Sequence, residues 1–251
     1  MNCALSPEQF ARARRVLMRR DPRLAALMRR VGPCRLPESR TRHPFAALVR
    51  AVIAQQLSGN AAKTIHDRVL ALAGGLEALQ PRQLLALDAT ALRAAGLSRQ
   101  KISYLQDLAA HVLDGRLNLA ALEDLPDDEV VREITAVRGF GVWSAEMFLM
   151  FRLNRPDVFP VDDLGIVKGV QKLVGMKCRP RPRTMLRLAE AWRPYRSVAA
   201  WYLWRIHELK DAPDDVRQRG TTSASAGRRA PAPDDARKRN TPQAPSVFPP
   251  A

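Results

Sequence analysis

Along most of this chain, apolar residues recur at the three- and four-residue spacing of an α-helix that buries one face. Ser6-Pro7-Glu8-Gln9 reads as a helix start, with Ser at the N-cap, Pro in the first turn and Gln three residues after the cap. Phe10, Ala13, Val16 and Leu17 give that helix its stripe. Asp21-Pro22 breaks it and starts a second, with Leu24, Leu27, Met28 and Val31 inward and Gly32-Pro33 as the stop. Arg42-His43-Pro44-Phe45 opens a third, running through Leu48, Val49, Val52 and Ile53 until Gln55-Gln56-Leu57-Ser58-Gly59-Asn60 interrupts the apolar run. Ser58 or Asn60 can cap the next helix, which carries Ile65, Val69 and Leu72 and stops at Gly74-Gly75. The pattern then predicts helices over Pro81–Leu87, Thr90–Ala95 and Gln100–Leu113, and after them Glu129–Ala136, Val142–Leu153, Leu164–Val174, Thr184–Trp192 and Arg196–Leu209. Asp127 and Asp128, just ahead of Glu129, add negative charge where a helix N-terminus attracts it. No stretch alternates as a half-buried strand does, so the expected class is all-α. After Lys210 the chain becomes a Pro/Ala-rich basic tail, 211–251, too poor in apolar residues to offset its ordering entropy and expected to be disordered.

Charge narrows the partner. The 251 residues hold 41 Lys and Arg against 25 Asp and Glu, a formal net charge of +16. Such an excess favours a polyanion, nucleic acid first and an acidic membrane surface second. Arg228-Arg229 and Arg237-Lys238-Arg239 in the tail could add sequence-independent phosphate attraction. Cys3, Cys34 and Cys178 are too few and too scattered for a disulfide framework or a metal site, so no metal and no cofactor are expected. Neither a bilayer-spanning apolar run nor a signal-peptide core is visible, which leads to the expectation of a cytoplasmic protein, nucleoid-associated and without a membrane partner.

The stretch with the most chemical content is Val137-Arg138-Gly139-Phe140-Gly141-Val142-Trp143-Ser144-Ala145. Two glycines one residue apart, between two predicted helices, describe a tight hairpin; both are expected to tolerate positive φ and the close approach of another backbone. The second helix then begins with free N–H groups pointing outward, a setting that favours a phosphate. An ordinary helix-turn-helix corner has the same pattern. A second segment separates the two: Asp157-Val158-Phe159-Pro160-Val161-Asp162-Asp163-Leu164-Gly165 places two carboxylates at the start of the next helix. Hairpin and Asp pair together resemble the helix-hairpin-helix (HhH-GPD) DNA glycosylase superfamily. The nearest resemblance is to its 3-methyladenine DNA glycosylase II branch, in the compact all-α form, over about Pro44 to Leu209.

The resemblance implies a task for each feature. Such an enzyme takes the target base out of the duplex, fills the hole, grips the backbone and breaks a C–N bond. The grip falls to Arg138, Gly139, Phe140, Gly141 and Val142, through backbone N–H groups that position DNA without reading sequence. Laid against the family pattern without a gap, Asp163 takes the catalytic position; a gapped match to the 8-oxoguanine branch would put Asp162 there instead. Both carboxylates also suit plain helix capping. Trp143, Trp204, Trp201, Tyr202 and Phe45 are candidates for the base pocket, where electron-rich faces attract a cationic alkylated purine more than a normal base. For any one of them, filling the core is the alternative use. Gln56, or else Leu57, would be the wedge that enters the vacated stack.

This reading implies a two-lobed fold, with one lobe over about 44–125 and the other over 1–43 plus 126–210. It implies a monofunctional glycosylase that hydrolyses the bond to alkylated bases in double-stranded DNA and acts as a monomer. Strand-cutting members of the superfamily carry a Lys just after the hairpin, and here that position is Trp143. A mismatch-specific adenine or thymine glycosylase is one alternative; a non-catalytic helix-hairpin-helix DNA-binding module, which has no use for Asp163, is another.

Overall fold

The structure, a computed structural model, describes residues 6–36, 43–57 and 59–209. Among these residues it is wholly helical. The expectations for the tail, for Ser58 as a cap and for Cys3 lie outside the described residues. In chain order the helices are α1 (Pro7–Arg20), α2 (Pro22–Val31), α3 (Pro44–Ala54), α4 (Gly59–Ala73), α5 (Pro81–Ala86), α6 (Ala89–Ala94) and α7 (Arg99–Leu113). A 3-10 turn, Ala121–Glu123, leads to α8 (Asp127–Thr135), α9 (Val142–Phe151), α10 (Leu164–Val174), α11 (Pro182–Ala189) and α12 (Arg196–Arg205). A second 3-10 turn, Glu190–Trp192, extends α11.

Most ends fall where the sequence places them, because local capping chemistry fixes them. Ser6 and Gln9 form the reciprocal capping box, Ser6 Oγ accepting from Gln9 N at 3.3 Å and Gln9 Oε1 from Ser6 N at 2.7 Å. Three expectations fail. Asn60 is not a cap but lies inside the first turn of α4, and Leu72 is exposed on that helix rather than turned to the core. α12 ends at Arg205, short of Leu209.

Packing sorts the helices by neighbour. α3, α4, α5, α6 and α7 pack among themselves, while α1 and α2 leave this group and pack with α12, and α2 also with α10. Two polar contacts fasten that return. Tyr202 Oη donates to the Gly32 carbonyl at 2.8 Å, and Trp192 Nε1 to the buried Asp21 carboxylate at 3.1 Å. Burial pushes the Asp21 carboxyl up, but hydrogen bonds from Arg23, Trp192 and the Leu24 N–H outweigh it and hold it below its usual value. The segment that leads from α7 to α8 is clamped by buried arginines. Arg155, 2 % exposed, donates to the carbonyls of Glu123 and Leu125 at 2.8 Å each and pairs with Asp127, and Arg152 pairs with Glu123.

α10 and α12 come unusually close, because Gly169 has no side chain. A Cβ there would lie 2.6 Å from the Leu203 carbonyl oxygen. That approach brings the Trp204 ring up to the start of α10.

Candidate active site

The Asp pair divides cleanly by environment. Asp162 is exposed, whereas Asp163 is 4 % exposed and caps α10, its Oδ1 accepting from Ile166 N at 2.8 Å. Two indoles complete the arrangement. Trp204 Nε1 donates to Asp163 Oδ1 at 2.8 Å, and Trp143 Nε1 donates to Asp163 Oδ2 at 2.9 Å. Three N–H donors from α9, α10 and α12 therefore fix the plane of one buried carboxylate. The carboxylate that caps α10 is thus the same one that the two indoles hold.

The aromatic candidates separate as well. Trp143 is half-buried in the first turn of α9 and keeps accessible surface beside Asp163. Trp204 is 6 % exposed and stacks on Phe151, with ring centroids 5.6 Å apart and planes 28° apart, so it serves as a rigid support. Trp201 is buried edge-on against Tyr202, with the Arg205 guanidinium 5.3 Å from its centroid. Tyr202 is not brought to Asp163: its hydroxyl is bound to Gly32, and burial pushes it up to about 12. Phe45 is buried in the first turn of α3, and no ring contact or hydrogen bond joins it to Asp163 among the described residues.

Glu146, to which the sequence alone gave no role, belongs to this group. It sits one helical turn beyond Trp143 on α9, half-buried. Burial, then the negative charges of Asp162 and Asp163, push its carboxyl from 4.5 up to about 7. The sequence signal was the three-residue spacing from Trp143, and the approach of the Asp loop gives that spacing its meaning. The stability consequence has a definite sign. Below about 4.5 the folded and unfolded forms are both protonated and there is no penalty; between there and about 7 the unfolded chain ionises first, and above about 7 the penalty is complete. Glu146→Gln is therefore expected to raise stability near about pH 8 by about 1–3 kcal/mol and to leave it unchanged near about pH 4. Thermal melts at the two pH values check this, and equal gains at both would contradict it.

The hairpin joins α8 to α9. Gly139 holds φ +89, and a Cβ on it would fall 2.2 Å from the Tyr104 ring, so glycine is required there twice over. Gly141 does not use the positive φ open to it: it is extended (φ −108, ψ 177), with open space where a side chain would go. It is the N-cap of α9 and faces outward. The N–H groups of Gly139, Gly141 and Val142 have no acceptor among the described residues, whereas the Phe140 N–H is used by the Val137 carbonyl and the Phe140 ring is core. Arg138 is exposed, and its backbone N–H donates to Asp107 at 3.0 Å. Across from the hairpin, Gln56 is exposed at φ +58 between α3 and α4, and Leu57 beside it is half-buried. Lys168 and Lys172 are exposed on α10.

This arrangement has relatives. A DNA-3-methyladenine glycosylase 1 of Schizosaccharomyces pombe is 34% identical over 198 residues, covering 78% of this chain and 86% of that protein. The solved structure of a 3-methyladenine DNA glycosylase from the same organism, in complex with abasic DNA, matches with a TM-score of 0.72 and 32% identity over 79% of this chain and 97% of that one. A DNA-3-methyladenine glycosidase structure from Bacillus halodurans matches with a TM-score of 0.66 and 38% identity over 80% of this chain and 88% of that one. Residues 49–194, spanning the hairpin, the Asp pair and the packing between α3 and α9, match the HhH-GPD superfamily of base excision DNA repair proteins, and the chain belongs to that family.

Proposed function

We propose that the protein is a monofunctional DNA glycosylase that removes alkylated purines of the 3-methyladenine and 7-methylguanine type from double-stranded DNA. The observation that carries this reading is the buried Asp163 carboxylate held by the indole N–H groups of Trp143 and Trp204. A DNA-binding module alone would use the cap on α10 but has no use for two indoles fixed on the same carboxylate. In this reading the duplex lies between a lobe of about 44–125 and a lobe of 1–43 plus 126–210. The damaged base is flipped out toward the accessible surface of Trp143. An alkylated purine carries positive charge in its ring, so an aromatic face and the neighbouring carboxylates Asp162 and Asp163 favour it over a normal base. Loss of the base leaves positive charge on the sugar. Asp163 stabilises that charge and orients the water that adds to C1′. The base departs with the bonding electrons and becomes neutral, so no strong general acid is needed. The enzyme acts as a monomer in the cytoplasm, on the nucleoid; no helix among the described residues is long and apolar enough to cross a membrane.

The test is release of methylated bases from alkylated duplex, resolved by base type, with borohydride present in a parallel reaction. Free methylpurines and an intact abasic strand support the reading. A borohydride-trapped covalent adduct that disappears on replacing one Lys would instead assign strand-cutting chemistry.

The grip has its own expected outcome. Gly141→Val fits the free protein, since its Cβ meets nothing and its φ suits any residue. It should keep the fold and weaken binding to damaged and undamaged duplex alike by about tenfold, the worth of one hydrogen bond to a charged group. Equal affinity of variant and parent in a low-salt titration, with matching circular dichroism, argues against a phosphate at this position.

A further inference from the structure

The loop that carries Gln56 and the hairpin that grips DNA are two elements far apart in sequence, yet one side chain joins them. Gln55 caps the C-terminus of α3, and its Nε2 donates to the Gly139 carbonyl at 2.8 Å and to Ser144 Oγ at 3.4 Å. The next residue, Gln56, is held in the left-handed region, and Leu57 N closes the turn on the Ala54 carbonyl at 3.2 Å. A second element braces both sides. On one face of α7, Lys101 Nζ donates to the carbonyls of Ile53 at 2.7 Å and Gln55 at 2.8 Å. One turn on, the Tyr104 ring packs against Gly139, and Asp107 accepts the Arg138 N–H. Lys101, Tyr104 and Asp107 follow one another at three-residue spacing, so a single stripe of α7 touches the loop and the hairpin.

We propose that Gln55 is a positioning residue: supported by Lys101, it locks the Gln56 loop to the phosphate-gripping hairpin, so that docking the hairpin on the backbone sets where Gln56 enters the base stack. This rests on the reading of Gln56 as the wedge. The geometry gives the coupling a direction of effect. A non-Gly residue at positive φ is kept there by its surroundings, and here those surroundings are the bond from Gln55 to the hairpin and the two bonds from Lys101. Without them the free N–H groups of the hairpin remain, and so does the grip, but the wedge loses its register.

The full-length protein is assayed on a duplex holding an abasic-site analogue next to 2-aminopurine, whose fluorescence rises as the neighbouring stack is opened. Gln55→Leu and, separately, Lys101→Met are each expected to lose tenfold or more of the unstacking signal at saturating protein, with affinity for undamaged duplex changed less than twofold. The double variant Gln55→Leu/Gln56→Ala is expected to be no worse than Gln56→Ala, as for two residues acting through one wedge. Lys101→Met reaches the same loop by another bond and carries the test if Gln55→Leu does not fold. Normal unstacking by both Gln55→Leu and Lys101→Met, alongside loss in Gln56→Ala, overturns the coupling alone. A parallel fall in undamaged-duplex affinity and unstacking overturns it too, since the residues would then serve the grip. Normal unstacking by Gln56→Ala overturns the wedge reading, and the coupling with it.

Discussion

Asp163→Asn is expected to slow base release by about a hundredfold or more, the cost of removing a charge placed for the transition state. Affinity for abasic-site duplex should stay largely intact, because the hairpin makes no use of Asp163. Single-turnover release of methylated bases from alkylated duplex measures the first quantity, and a binding titration measures the second. The substitution also has a structural cost. Three N–H donors converge on the two carboxylate oxygens, and an Asn turns one oxygen into an amide NH2 that faces a donor. One unsatisfied buried pair costs about 1–3 kcal/mol, so the melting temperature should fall as well. Asp162→Asn, on an exposed side chain, is the control and should change little. Near-normal release by Asp163→Asn, with loss in Asp162→Asn, would shift the assignment by one residue.

In the sequence, capping suits both neighbours and only the ungapped resemblance favours Asp163. The structure makes Asp163 the buried cap of α10 and leaves Asp162 exposed, and the pair of variants decides which carries the chemistry. The helices were legible for local reasons, Ser6 and Gln9 at one end of the chain and Gly175 at φ +68 after Val174 near the other. Other features depend on contacts that no local pattern carries. Gly139 and Gly141 look alike in the sequence; a positive φ and the Tyr104 ring, contributed by α7, set Gly139 apart. Glu146 owes its near-neutral carboxyl to burial and then to the charges of Asp162 and Asp163, residues that follow α9 in the chain. The bond from Gln55 to Gly139 crosses 84 residues of chain.

Tyr202 is a different kind of miss, because helix phase already separates it. On one helix, residues 201 and 204 lie one turn apart on neighbouring faces, while residue 202 points almost opposite to 204. With Trp204 on Asp163, Tyr202 had to look toward another element, and it meets α2 at Gly32. The aromatic crowding of that helix concealed a division of labour: one ring orients the carboxylate, and the other holds the N-terminal helices in place.

Gly165→Ala is expected to lower base release by about a hundredfold, since misplacing a catalytic group by about an ångström costs that much. Gly165 has no special backbone conformation to protect; what matters is space. An added Cβ would lie 2.7 Å from Trp204 Cδ1, 3.0 Å from its Nε1 and 3.1 Å from Asp163 Oδ1. The indole has little room to withdraw. Phe151 stacks on it at 5.6 Å, and α12 is held against α10 where Gly169 meets the Leu203 backbone. Ring and carboxylate must therefore separate, lengthening the 2.8 Å bond between them. The loss should appear in the rate of base release, with helical circular dichroism retained and affinity for abasic duplex little changed. A double-variant cycle identifies the route. In a Trp204→Phe background the smaller ring leaves room for the methyl group, so Gly165→Ala should cost far less there than in the parent. An equal loss in both backgrounds would mean that the methyl group acts on Asp163 directly or on the DNA, and not through the Trp204 ring.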